Sequence, residues 1–350
     1  MIAASEFVVI GENIHATRIV KRSGPRVTTD EHGREAVVFT DVAGGHRQLP
    51  VPEAEQQSAA YAEGKIKHVR IAIQAAMSGA EPDAATALAY LETLVARQVE
   101  AGARYLDLNV DEVSLGLPEQ IEAMRWLVRT VATLTSTPVS IDSPNIEIIE
   151  AGLNEALQSG QEPPMLNSVS LERIGALELA VQSGGPVVVT AAGESGIPGD
   201  VEGRLENAGR IVELALERGI GLERIYVDPL IFPISVNGAS GEHCLETFRR
   251  LRERFGAEIH LTGGMSNVSF GLPNRRLLND AFLLLAIEAG ADSGIVDPVA
   301  NNIERVFAVD RETAPFRLAA DVLTGADRNC RAYLKAYRAG ELELPDATAA

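Results

Sequence analysis

Arg104-Tyr105-Leu106-Asp107-Leu108-Asn109-Val110 reads as a strand carrying two polar residues at alternate positions. Alternate residues share one face of a strand, so Asp107 and Asn109 are presented together. The same kind of run recurs on either side. Phe7-Val8-Val9-Ile10 precedes it and ends in Gly11-Glu12-Asn13. Pro138–Asp142, Met165–Ser168, Pro186–Thr190, Ile225–Asp228, Glu258–Thr262 and Ser293–Asp297 follow, which makes eight strands. Between them lie amphipathic stretches with helical spacing, such as Ile121–Thr133, Leu171–Val181, Leu205–Glu217, Leu245–Phe255 and Leu277–Glu288. Several close on a glycine suited to a helix C-terminus: Gly102, Gly184, Gly219, Gly256 and Gly290. Strand–helix alternation repeated eight times implies parallel strands with crossover helices. It predicts an α/β protein with a (β/α)8 TIM barrel in preference to an open doubly wound sheet.

Two segments stand outside the repeat. Residues 18–55 are far longer than the usual 2–6-residue connection. Within them Arg26–Thr29 and Ala36–Phe39 flank Asp30-Glu31-His32-Gly33 and predict a β-hairpin, with Gly44-Gly45 and Pro50-Val51-Pro52 as a loop. The expected organisation is a single barrel over 1–325, the insert at 18–55 on its active face, and an extension at 326–350 whose end, from Leu342, frays. A net charge of −18 argues against a general nucleic-acid or anionic-membrane binder. Two cysteines, Cys244 and Cys330, give neither a disulfide framework nor a thiolate metal cluster. With no basic leader and no membrane-length apolar run, the expected location is the cytoplasm.

In a barrel the C-terminal strand ends form the active face. Here they carry Glu12 and Asn13, Asp107 and Asn109, Asp142, Asn167, Asp228 and Asp297. One such residue is ordinarily a helix cap or a turn former. Several amides and carboxylates around one mouth, without cationic neighbours, suit a ring that offers an amino-amide edge, because one carboxylate accepts two parallel N–H bonds. A hard-metal site ranks lower: each acid is isolated on its own strand and the six histidines show no ligand spacing. His15 follows the first strand near the mouth, and His260 reads as a core residue. The densest segment is Gly263–Arg276. There Gly264 permits close approach, Ser266, Asn267, Ser269 and Asn274 supply donors and acceptors, and Arg275 offers a positive charge to an anionic tail. Asn274 is also placed to cap the next helix.

Gly11-Glu12-Asn13-Ile14-His15, Gly102–Val110, Ile141-Asp142-Ser143, Leu166-Asn167-Ser168, Tyr226–Leu230, and Ser266–Ser269 with Asn274-Arg275 together resemble the pterin-binding family of methyltetrahydrofolate:corrinoid methyltransferases, distant relatives of dihydropteroate synthase. The resemblance runs from about Phe7 to about Pro298 outside the insert. It implies a pterin in the barrel mouth, with Asp142, Asn167 and Asp228 on its amino-pyrimidine edge. Asn267 would face the methyl-bearing nitrogen, Glu12, Asp107, Asn109, Gly264, Ser266 and Arg275 would line the pocket, and Asn267 and Asp142 would act in catalysis. It further implies a folate substrate, a corrinoid carried on a partner protein, a homodimer, and no protein-bound metal. The family's first motif usually reads Gly-Glu-Arg-Ile-Asn, so Asn13 and His15 are departures. A dihydropteroate synthase and a non-catalytic folate-binding subunit are the competing readings.

Overall fold

The computed structural model describes residues 2–160, 162–194 and 196–342. Eight strands, β1 (Val8–His15), β2 (Tyr105–Asn109), β3 (Val139–Asp142), β4 (Met165–Val169), β5 (Val187–Thr190), β6 (Ile225–Asp228), β7 (His260–Leu261) and β8 (Ser293–Val296), form one sheet in the order β7-β6-β5-β4-β3-β2-β1-β8. The two ends of that order also meet. The Ile295 N–H donates to the Gly263 carbonyl at 2.9 Å, and Gly264 pairs in parallel with Ile295. The fold is the expected (β/α)8 barrel. β1 runs five residues beyond its apolar start, so Glu12, Asn13 and His15 lie within a strand rather than after one. No helix among the described residues is long and apolar enough to cross a membrane.

The chain divides into two compact units, Gly11–Asn167 and the N-terminal residues through Ile10 together with those from Ser168 onward. In the first, β2, β3 and β4 pair in parallel with Asp107 beside Ser140 and Asp142 beside Asn167. Leu106, Leu108 and Ile141 are fully buried. Gly11 is fixed by a close approach: a Cβ there would lie 2.5 Å from the Gln98 Oε1 that accepts the Asn13 N–H. The insert contains the predicted hairpin, Val27–Thr29 against Glu35–Thr40, and a third antiparallel strand, His46–Pro50. Gly44-Gly45 is therefore a second hairpin turn and not part of an open loop. Each turn is built on an aspartate that accepts two backbone N–H groups, Asp30 from His32 and Arg34, Asp41 from Ala43 and Gly45. The third strand escapes a periodicity reading because His46, Arg47 and Gln48 are all exposed, with no buried face to alternate against. The sheet docks through Phe39, whose ring meets Tyr90 edge-on at 4.9 Å. The Tyr90 hydroxyl accepts from Arg26 at 2.6 Å and shares a 2.8 Å hydrogen bond with His68 Nδ1. Burial holds His68 down to a pKa of about 3, so it is a neutral partner.

In the second unit, β5 and β6 pair in parallel from Val187–Ile225 to Thr190–Asp228. Val188, Val227, Leu261, Phe248 and Phe282 fill the interior between strands and helices. The extension from residue 326 carries the helix Arg331–Arg338, and Leu342 is buried. Residues 343–350, the rest of the expected frayed tail, lie outside the described residues. Asn274 occupies the cap position of the helix Arg275–Glu288 but does not cap it with its side chain. The amide instead donates to the Leu342 carbonyl at 2.9 Å.

Candidate functional site

In the first unit, parallel pairing brings the ends of four strands side by side, and the side chains there form two neighbouring hydrogen-bonded groups, one around Asp107 and one around Asn109. Asp107 is fully buried and lies 2.9 Å from His15 Nε2 through Oδ2. The Asn167 amide donates to the two oxygens of the same carboxylate at 3.2 and 3.4 Å. The Asn109 amide donates to Asp142 Oδ2 at 2.9 Å and to Asp111 Oδ2 at 2.6 Å. Ser143 Oγ donates to Asp111 Oδ1 at 2.6 Å. Asp107, Asn109, Asp142 and Asn167, which the sequence sets at one mouth, lie near one another, and the structure adds His15 to them, whereas Glu12 is held by Arg18 at 3.2 Å. Asp111 and Gln98 went unnoticed in the sequence. Asp111 is the partner that leaves Asn109 no free donor, and it sits one residue past its strand's apolar run.

The cluster's electrostatics follow from who is buried with whom. Burial by itself pushes the His15 pKa down. The hydrogen bond and charge of Asp107, joined by the charges of Asp142 and Glu12, outweigh it and raise the value to about 9. Burial, then the charge of Asp107, push Asp142 up to about 7 against the opposing charge of His15 and the Asn109 hydrogen bond. At neutral pH His15 is therefore a cation set between two acids, and Asp142 stands at the point of exchanging a proton. His15, Asp107 and Asp142 are also the described residues that could hold a metal ion, with ligand atoms all within 4.8 Å of one another. A cation there must displace the proton that His15 shares with Asp107, since an imidazole ligates only when that nitrogen is free.

In the second unit, Asp228 ends β6 and accepts the Leu230 N–H at 2.7 Å. That turn is strained: Leu230 adopts φ 68°, a left-handed conformation a leucine rarely takes. Burial raises Asp228 to about 6, against the Leu230 hydrogen bond and the charge of Arg204. Gly263 and Gly264 leave room for the neighbouring polar groups. A Cβ at Gly263 would stand 3.0 Å from Asp228 Oδ1, and one at Gly264 2.9 Å from Asn267 Nδ2. Asn267 is exposed; its backbone N–H donates to the Gly264 carbonyl at 3.0 Å, and its side-chain amide makes no hydrogen bond among the described residues. Arg275 is built into the loop, donating to the Ser266 carbonyl at 2.7 Å and to Ser269 Oγ at 3.0 Å. Asp297 accepts the Val299 and Ala300 N–H groups, the capping role open to any strand-end aspartate.

A parallel barrel whose strand ends carry carboxylates and amides defines a class of small-molecule enzyme with its site on the C-terminal face. Residues 80–297 match the family described as pterin binding enzyme. The methylcorrinoid:tetrahydrofolate methyltransferase of Eubacterium limosum is 32% identical over 260 residues, covering 73% of this chain and 89% of that protein. The methionine synthase of Mycobacterium leprae is 33% identical over 214 residues, covering 57% of this chain and 17% of that larger protein. Among solved structures, a dihydropteroate synthase from Xanthomonas albilineans superposes with a TM-score of 0.50 at 24% identity, over 65% of this chain and 87% of that one, a likeness of fold alone. The chain belongs to the pterin binding enzyme family. Within that family its place is with the methyltransferases.

Proposed function

We propose that this chain moves a methyl group between N5 of 5-methyltetrahydrofolate and the cobalt of a corrinoid carried on a partner protein, with the pterin held in the barrel mouth. The observation that carries the reading is the Eubacterium limosum relative, whose likeness extends over nearly its whole length. The proposed barrel spans 1–325 with the 18–55 insert on its active face. The proposed working form is a cytoplasmic homodimer.

The side chains suit the chemistry. The amino-pyrimidine edge is rich in N–H donors, and Asp142, Asn167 and Asp228 supply acceptors for it. In transfer from the folate, the N5–methyl bond breaks as the cobalt(I) electron pair forms the new cobalt–carbon bond, and N5 keeps its own electron pair. N5 must carry positive charge to leave, so it gains a proton or a strong hydrogen bond beforehand. The uncommitted Asn267 amide can donate to or accept from that nitrogen as its charge changes, without a charge of its own. The reverse transfer passes through the same arrangement. Alignment of the two reactants supplies a further part of the rate.

The test is methyl transfer between methyltetrahydrofolate and free cobalt(I) cobalamin, followed by the cobalamin spectrum. Turnover is expected, and Asn267→Ala is expected to slow it roughly 100-fold, as loss of one such donor costs about 3 kcal/mol, while tetrahydrofolate binding changes by less than about tenfold. Binding without turnover in the unaltered protein would leave the folate-binding subunit. Failure to bind reduced folates at saturating concentration would end the reading.

A further inference from the structure

Arg204 is a buried charge that this chemistry leaves unused. It lies in the first turn of the helix Val201–Glu217, only 2% exposed. Its Nε and Nη1 atoms are buried with no hydrogen-bond partner among the described residues. Its guanidinium carbon stands 5.6 Å from the centre of the Phe232 ring, which can hold the cation but cannot satisfy its N–H groups. A guanidinium has five N–H donors and cannot shed its charge, so the three idle ones on these two nitrogens are costly inside a protein unless a bound molecule meets them. The helix begins just after the loop that leaves the C-terminal end of β5, on the catalytic face, and Arg204 and Asp228 feel each other's charge without forming an ion pair. Cys244 and Asp200 are the other groups that act on it.

An amino-amide ring edge presents a carbonyl oxygen, a ring N–H and an exocyclic amine in a row. A carboxylate can take the two adjacent donors, and the oxygen then needs a donor beside that carboxylate. We propose that Arg204 is this donor. On this view it and Asp228 together read the carbonyl-bearing edge and reject rings that carry an amine in the carbonyl's place. The inference rests on the pterin reading, and it makes Arg204 a specificity-determining residue of the same pocket.

The experiment compares binding of tetrahydrofolate, which carries the carbonyl, with that of its 4-amino counterpart, for the unaltered protein, Arg204→Met and Arg204→Lys. The unaltered protein is expected to prefer the carbonyl form roughly 10- to 100-fold, the worth of a hydrogen bond to a charged donor. Arg204→Met should bring that ratio to within about threefold of unity, and Arg204→Lys should keep part of it. A structural role would weaken both ligands together and leave the ratio standing, which overturns the proposal. So does equal affinity of the unaltered protein for both ligands, a result that needs no variant to fold. If neither ligand binds the unaltered protein, the pterin reading itself has failed, whereas tight binding with an Arg204-independent ratio removes only this inference.

Discussion

At His15 two opposing effects meet, and the balance sets a pH profile. His15 is held protonated up to a pKa of about 9 by Asp107, with Asp142 and Glu12 adding to the pull, while Asp142 titrates near 7. An ionised Asp142 accepts N–H donors, so tetrahydrofolate affinity should rise between pH 6 and 8 and fall above about 9 as His15 loses its proton. His15→Asn removes the cation that favours ionised Asp142. The rising limb should then move to higher pH and the falling limb should vanish, as read by titration calorimetry; an unmoved rising limb would refute the coupling. The stability sign is fixed by the same shift. A histidine raised from 6.5 contributes fully below about pH 6.5 and loses the contribution through about 9, here roughly 3 kcal/mol. The advantage of the unaltered protein over His15→Asn in denaturant should shrink over that window. The sequence exposed Asp107, Asn109, Asp142 and Asn167 because a polar residue in a strand is conspicuous. It hid the charge state, which arises from partners as far apart as His15 and Asp107, 92 residues.

Elements were legible where a buried face imposed a period and illegible where it did not. The helix Val201–Glu217 shows both cases. Leu205, Ala208, Ile211, Val212 and Ala215 mark its core stripe, and Arg204 lies on that stripe at helical spacing from Ala208 and Ile211. A charged residue in phase with the apolar ones was the available signal for a buried guanidinium. The strand His46–Pro50 left none, being polar on both faces over most of its length. What anchors the insert sheet is tertiary, and Tyr90→Phe tests it. Loss of the hydroxyl leaves Arg26 and His68 without their shared partner and should cost about 1–3 kcal/mol in chemical denaturation, with the ring packing against Phe39 retained. A cost below 0.5 kcal/mol, on the order of an ordinary surface change, would mean the polar triad does not hold the insert. In the other unit, the helix Ser240–Phe255 starts against Leu323 so closely that a Cβ at Gly241 would overlap the Leu323 carbonyl oxygen. A backbone atom cannot swing aside, so Gly241→Ala should lower stability by about 1–3 kcal/mol despite the better helix propensity of alanine. An unchanged melting temperature would show that the contact relaxes freely.

For the molecule as a whole, the eightfold alternation made the barrel readable because each strand–helix step is a local pattern, whereas the division at Ile10 and Asn167 depends on contacts between distant residues and has no local mark. Both divisions fall inside a strand, β1 and β4, and a strand cut from half its residues loses the pairing that keeps its backbone satisfied. Unfolding should accordingly be one cooperative transition, and a bound folate should move all of it. At a ligand concentration 100 times Kd the native state gains about 2.7 kcal/mol. Spread over the unfolding entropy of 350 residues, about 0.7 kcal/mol per degree, this is a rise of roughly 4 °C in a single calorimetric peak. If the units instead unfold independently, the first to melt releases the ligand and carries only about half the entropy, so the lower of two peaks should climb by roughly 8 °C while the upper stays in place. A scan with saturating tetrahydrofolate separates these outcomes, and a split peak would show that the barrel's strands do not make its two halves fold as one.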